Sequence, residues 1–126
     1  MIALLKSAQR PAIVAGGGVH YAQAWDELQE LAEAFGIPVG ETLAGKGAML
    51  RPSEMLLGGF GVTGNPAAGR ILAQADVVLC IGTRLTDFST GSMSAFADPN
   101  VRFIGVNVAA HDAYKLGGIP VVADAK

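Results

Sequence analysis

Three glycine-rich stretches carry the groups in this sequence that could do chemistry. Gly16-Gly17-Gly18 follows the apolar run Pro11–Ala15. A turn of that kind brings backbone amides close to a phosphate, with a helix N-terminus behind them. Gly82-Thr83-Arg84 closes a second apolar run, Val77–Ile81. Arg84 there offers a planar, permanently charged fork for a phosphate or carboxylate. Gly58, Gly59, Gly61 and Gly64 lie in a long segment between these two and let the backbone approach a ligand or a neighbouring domain closely. The expectation is one cleft formed by Gly16, Gly17, Gly18, Gly59, Gly61, Gly82, Thr83 and Arg84. Each stretch also has a plainer reading: a tight strand-to-helix turn at 16–18, a surface ion pair of Arg84 with Asp87, and packing for the glycine loop.

Other signals are incomplete. Tyr21 occupies the place of the third glycine in a dinucleotide fingerprint. Gly40-Glu-Thr-Leu-Ala-Gly-Lys46 has the spacing of a phosphate-binding loop, but Gly47 replaces the hydroxyl residue that would hold magnesium. Pro52 also stands in the way of a long helix from Lys46. A glycine-rich loop with a partly buried lysine is the better account. Asn107 follows the strand-like Phe103–Val108, where an acidic residue often grips a ribose hydroxyl. Its neutrality argues against a tightly held adenine nucleotide. His20 and His111 are isolated, with no third ligand at metal-site spacing. No Gly-x-Ser-x-Gly occurs, and Cys80 sits inside an apolar run, where it reads as buried and inert.

The elements that must position these groups follow from periodicity. Apolar runs at 11–15, 37–40, 77–81, 103–108 and 120–123 read as buried strands, and Met55-Leu56-Leu57 as a further short one. Helical stripes read at 2–8, at Ala22, Trp25, Leu28, Leu31, Ala32 and Phe35, and, after the Asn65-Pro66 start signal, at Ala68, Ile71, Leu72 and Ala75. Residues 83–99 read as a polar loop with a helical turn near Ser94–Phe96, and His111–Leu116 as one more turn. Buried strands alternating with helices imply parallel pairing through right-handed crossovers. The expected fold class is α/β, a single domain with a doubly wound, mostly parallel, Rossmann-like sheet of five or six strands. Ligands of such sheets bind at the carboxyl ends of the strands.

The composition bounds the function. The chain has 126 residues, 51% apolar and 16% charged, with net charge −2 and one cysteine. This suits one domain with its own core and excludes a disordered chain. With no basic cluster, nucleic acid is excluded as a partner. No apolar run reaches the roughly 18–20 residues of a membrane span, so no membrane partner is expected. The lone thiol fits a reducing, cytoplasmic compartment.

Read together, Arg10–Gly18, Gly58–Gly61, Ala75–Leu85 and Val121–Asp124 resemble the central domain of thiamine-diphosphate enzymes of the acetolactate synthase and pyruvate oxidase type. The resemblance covers nearly the whole chain. A narrower likeness, carried by Gly18–Tyr21, Gly40–Lys46, Gly58–Gly64, Arg84–Ser92 and Asn107-Val108, is to the trihydroxycyclohexane-dione hydrolases of inositol breakdown. These open a cyclic 1,2-diketone ring with thiamine diphosphate and magnesium. The resemblance implies that residues 1–126 are a noncatalytic central domain from a longer, homo-oligomeric enzyme. Its partners would be the pyrimidine- and pyrophosphate-binding catalytic domains of the same chain, which hold thiamine diphosphate and magnesium outside this stretch. The family's Gly-Asp-Gly motif does not occur here, so the stretch alone is expected to be inactive. FAD-binding relatives carry an acidic residue where Asn107 stands, so FAD is not expected. The eight cleft residues would then be a vestigial nucleotide site or a docking surface. The alternatives are an acetolactate synthase-like domain, a self-standing FAD or NAD module, and a sirtuin-like deacylase. One cysteine cannot supply the usual zinc cluster of the last.

Overall fold

The computed structural model describes residues 1–96 and 98–126. The chain opens with α1 (Ile2–Ser7), β1 (Pro11–Ala15), α2 (Gly18–Ala22) and α3 (Trp25–Phe35). It continues through β2 (Val39–Glu41), a 3-10 turn (Leu43–Gly45), β3 (Leu56–Gly59), α4 (Pro66–Leu72), β4 (Val77–Ile81) and α5 (Asp87–Thr90). β5 (Arg102–Asn107), α6 (Ala110–Ala113), a second 3-10 turn (Lys115–Gly117) and β6 (Ile119–Val122) complete it. All six strands are parallel, in the order β3-β2-β1-β4-β5-β6. The order reverses between β1 and β4, as the doubly wound reading requires. Among the described residues, no helix is long and apolar enough to cross a membrane.

β1 and β4 are apolar at every position because both of their faces are covered. Ile13, Ala15, Val77, Leu79 and Ile81 face one core with Val19, Leu28 and Ala32 of α2 and α3. Ala12, Val14, Val78 and Cys80 face a second core with Phe60, Leu72 of α4, Phe96 and Phe103. There Phe96 meets Phe60 at a ring-centroid distance of 5.6 Å and Phe103 edge-on at 5.1 Å, arrangements favoured by the ring quadrupoles. α4 begins as its sequence signals, with Asn65 Oδ1 accepting from the Ala67 N–H at 2.8 Å and Pro66 in the first turn. The same Asn65 donates from Nδ2 to the Leu57 carbonyl at 3.2 Å and from its backbone N–H to the Gly59 carbonyl at 2.7 Å. It thereby ties α4 to the irregular pairing of β3 with β2 near Val39 and Gly40.

At the amino ends of the strands, Asp76 accepts from the backbone N–H of Gln9 (2.7 Å) and Arg10 (3.0 Å). Arg10 Nε donates to the Gln74 carbonyl at 2.7 Å. Partial burial works against the Asp76 anion, but backbone N–H bonds from Gln9, Arg10 and Asp76 itself, together with the Arg10 charge, outweigh it and hold the carboxyl below its ordinary range. At the far edge, the Ala123 N–H donates to the Asn107 carbonyl. Alternate residues of a strand turn their polar groups to opposite sides. Ile119 and Val121 therefore face β5, and Pro120 faces the free side, where its missing N–H leaves no ladder bond unmade.

Several expectations need correction. The helical stripe from Ala22 to Phe35 is two helices, because Gln23 adopts a left-handed conformation (φ 55°) and turns the chain at Ala24. Phe35 is exposed rather than buried, as is Ile71 of α4. β2 starts at Val39 rather than Ile37, since Pro38 has no N–H for the ladder. β3 extends through Gly58 and Gly59, and β5 and β6 each begin and end one residue earlier than expected. The helical turn of the 83–99 segment is α5, not residues 94–96. Lys46 is exposed, not partly buried.

Candidate functional site

The reversal of strand order leaves a crevice of about 740 Å³ at the carboxyl ends of β1, β4 and β5. Gly17, Gly18 and Tyr21 form one wall and Thr42, Leu43 and Ala44 a second; Gly82, Thr83 and Arg84 lie beyond the tip of β4. Phe88 and Ser89 of α5, Val108 and Ala123–Ala125 complete the rim. Several of these apolar side chains face solvent: Tyr21 is 95% exposed, Leu43 73% and Val108 70%. Charge is sparse and mixed, with Arg84 against Asp112 and Asp124.

The first and third glycine stretches do converge, and they touch. The Gly18 N–H donates to the Gly82 carbonyl at 2.9 Å, the Gly16 N–H to the Ile81 carbonyl at 2.8 Å, and the Gly82 N–H to the Val106 carbonyl at 2.9 Å. A Cβ added to Gly18 would stand 2.5 Å from the Gly82 Cα, and one on Gly82 the same distance from the Gly18 Cα. Only glycine lets the two turns close on each other in this way. The second stretch is placed differently. Gly59 and Gly61 do not line the crevice, and Gly61 packs behind α5, where the Val62 N–H donates to the Phe88 carbonyl at 3.1 Å. Gly16 is buried beneath the lining residues.

Arg84 is exposed at the rim, and among the described residues it forms no ion pair, with Asp87 or any other carboxylate. Asn107 is committed on both sides. Its Nδ2 donates to the Thr83 carbonyl at 3.2 Å and its Oδ1 accepts from the Ala109 N–H at 3.0 Å. An aspartate could make only the second bond, since an ionised carboxylate has no proton to donate. Cys80 is buried, and loss of hydration pushes its thiol far above the ordinary range, away from any nucleophilic role.

The sequence reading missed Tyr21, Leu43 and Phe88 as rim residues. Their signal was available: an apolar residue within a polar turn after a strand end is conspicuous when the strand ends are known to form the site. α5 carries its own marks, Thr86 and Asp87 at its start and the left-handed Gly91 at its end.

The chain matches a protein-family model described as "Thiamine pyrophosphate enzyme, central domain" over residues 1–126. The chain belongs to this thiamine pyrophosphate enzyme central-domain family. The relatives that this central domain is similar to include 3D-(3,5/4)-trihydroxycyclohexane-1,2-dione hydrolase 2 of Bacillus cereus strain ZK / E33L, 47% identical over 125 residues. Proteins named as the same hydrolase in Bacillus cereus strain AH820 and Bacillus anthracis strain CDC 684 / NRRL 3495 are each 46% identical over 125 residues. These alignments cover 99% of the chain but only 19% of each relative's length. The central domain therefore corresponds to about a fifth of those proteins.

The amides of Gly16, Gly18 and Gly82 already bond to carbonyls and are not free to receive a diphosphate. Among the described residues, no three His, Cys, Asp or Glu side chains come together to hold a metal ion.

Proposed function

We propose that this central domain is a noncatalytic part of a thiamine-diphosphate enzyme that opens the ring of a cyclic 1,2-diketone. The observation that carries this reading is the 47% identity, over 125 residues, with a protein named as a trihydroxycyclohexane-dione hydrolase. Thiamine diphosphate and magnesium would be held by other parts of the same polypeptide, and no flavin would be held here. Asn107 supports the second point, because its neutral amide, engaged with Thr83 and Ala109, stands at this strand tip in place of the carboxylate that grips a ribose hydroxyl. The enzyme would work as a homo-oligomer in the cytoplasm, where the lone thiol of Cys80 stays reduced.

The role of the domain itself would be to hold the catalytic domains apart and to present the crevice face to them. Gly17, Gly18, Gly82, Thr83 and Arg84 form that crevice, with Gly16 beneath and Gly59 and Gly61 behind it. We read it as a vestigial nucleotide cleft turned docking surface. Exposed apolar residues ring it, and Arg84, which forms no ion pair among the described residues, stands at its rim. An apolar rim with little net charge suits a neighbouring protein surface better than a free phosphate.

The test has two arms. The intact polypeptide, supplied with thiamine diphosphate and magnesium, is expected to open the cyclic dione, whereas residues 1–126 alone give no turnover. In the intact polypeptide, Arg84→Ala is expected to impair ring opening or assembly and leave the melting temperature of residues 1–126 unchanged. Turnover by residues 1–126 alone would overturn the noncatalytic assignment. A fully active, normally assembled Arg84→Ala enzyme would remove Arg84 from the docking surface.

A further inference from the structure

Arg84 stands on a loop that is clamped on both of its flanks. The next residue, Leu85, has φ +44°, a left-handed conformation that crowds an L side chain. Its side chain is buried in the second core, and its N–H donates to Thr83 Oγ1 at 3.3 Å. On the other flank Thr83 is buried, and its carbonyl accepts from Asn107 Nδ2. Between these fixed points the Arg84 side chain is exposed and forms no ion pair among the described residues. Backbone strain persists only where the surroundings over-determine it, and it gathers at ligand clamps. A guanidinium presented from such a loop is preorganised for an anion that the domain itself does not supply.

The surroundings select the kind of anion. The N–H groups of Gly16, Gly18 and Gly82, which could have assisted a phosphate, all bond to carbonyls. The other charged residues of the crevice are Asp112 and Asp124. Asp112 pairs with Lys115 at 3.7 Å, whereas Asp124 forms no ion pair among the described residues. One cation near one free carboxylate accommodates a single negative charge better than the two of a phosphate. A carboxylate also matches the guanidinium fork in a bidentate pair. Around it, Tyr21, Leu43, Phe88 and Val108 are exposed. A small acid would leave these side chains in water, but a protein segment would cover them.

We propose that Arg84 anchors an aspartate or glutamate side chain carried on an apolar segment of the same polypeptide, outside residues 1–126. The inference rests on the docking-surface reading above and adds the chemistry of what docks. The matched stretch is only 19% of the relatives' length, so most of such a polypeptide lies outside it and can supply the segment.

The experiment uses the intact polypeptide carrying Arg84→Lys. Lysine keeps the charge and supplies an amine, which a water-soluble carbodiimide couples to a carboxylate in contact with it; arginine does not couple. Digestion and mass spectrometry identify the partner. The expected result is one dominant link from position 84 to an Asp or Glu outside residues 1–126, absent when the native sequence is treated alike. A second variant, Tyr21→p-benzoylphenylalanine, uses a rim position that is 95% exposed and tolerant of a larger ring. Its photo-cross-link is expected in the same segment. Adding Arg84→Glu should lower that yield about tenfold, through the lost pair and the repulsion of like charges. No link from position 84, a link only to Asp87, Asp112 or Asp124, or photo-cross-links that fall in a different segment or ignore Arg84→Glu would each overturn the anchor. Both readouts are covalent products and not turnover. An enzyme that opens the dione without these links refutes the anchor alone, and one that gives the links without opening the dione refutes the proposed reaction alone.

Discussion

The contact between the two glycine turns at the crevice floor makes a quantitative demand on stability. Gly82 has φ +58° and lies against the Gly18 backbone, with only 2.5 Å between a notional Cβ and the Gly18 Cα. Gly82→Ala therefore meets two costs: about 1–2 kcal/mol for the left-handed conformation and about 1–3 kcal/mol for forcing backbone apart. The sum is about 2–5 kcal/mol. Two other glycines separate these costs. Gly36 ends α3 at φ +63° with nothing within 4 Å of an added Cβ, so Gly36→Ala carries the conformational cost alone. Gly18 is not among the positive-φ residues, so Gly18→Ala carries the packing cost alone. Alanine is the better helix former by up to about 1 kcal/mol, so the loss seen at Gly18 is a lower bound. The entropy change of the unfolded chain, about 0.4–1 kcal/mol of stabilisation, enters each variant once, so the sum of two losses contains it twice. Urea unfolding of the three variants, with midpoint and slope compared, is the assay. The Gly82→Ala loss should reach or exceed the sum of the other two. If Gly82→Ala costs no more than Gly36→Ala, the two turns are not in contact as described, and the crevice floor is looser than its geometry states.

Two further outcomes are expected. The Asp76 carboxyl is held below the ordinary range of an aspartate, so its contribution is complete above that range and is lost as pH falls through the lower folded value. Asp76→Asn should cost about 1–2 kcal/mol near neutrality, and the gap between its melting temperature and that of the native sequence should close in acid; a gap independent of pH would show that the charge plays no part. Cys80 should stay unreactive toward an aromatic disulfide reagent at mildly alkaline pH until the domain unfolds, with absorbance of the released thiolate as the readout; prompt reaction of the folded domain would contradict its burial.

Most of the sheet was legible because burial on both faces demands uninterrupted apolar runs, and Pro11–Ala15 and Val77–Ile81 supply them. β3 was half legible. Leu56 and Leu57 signal a strand, but Gly58 and Gly59 have no side chains to pack, and only the Asn65 bonds to Leu57 and Gly59 reveal how they are held. The break between α2 and α3 left no mark, since Gln23 is not a residue type that announces a left-handed turn. For the site, the convergence of the 16–18 and 82–84 turns follows from topology alone, because both leave the carboxyl ends of adjacent strands. The 58–61 stretch closes an outer strand of the same sheet, β3, and its distance from the crevice is set by how α5 packs across Gly61. Arg84 standing free of Asp87 depends on side-chain directions that spacing does not encode.

Both margins of the sheet are closed to further growth. On one side, the carbonyls of Leu57 and Gly59 are already occupied by Asn65. On the other, Pro120 has no N–H to offer a newcomer. A strand from another protein would find no continuous row of donors and acceptors to zip onto at either border. Recognition of this domain is thus confined to its faces and its carboxyl rim, where shape and side-chain chemistry can discriminate. Backbone pairing, which any extended peptide could imitate, is denied. Unfolded segments rich in extended chain would have no template here on which to misassemble.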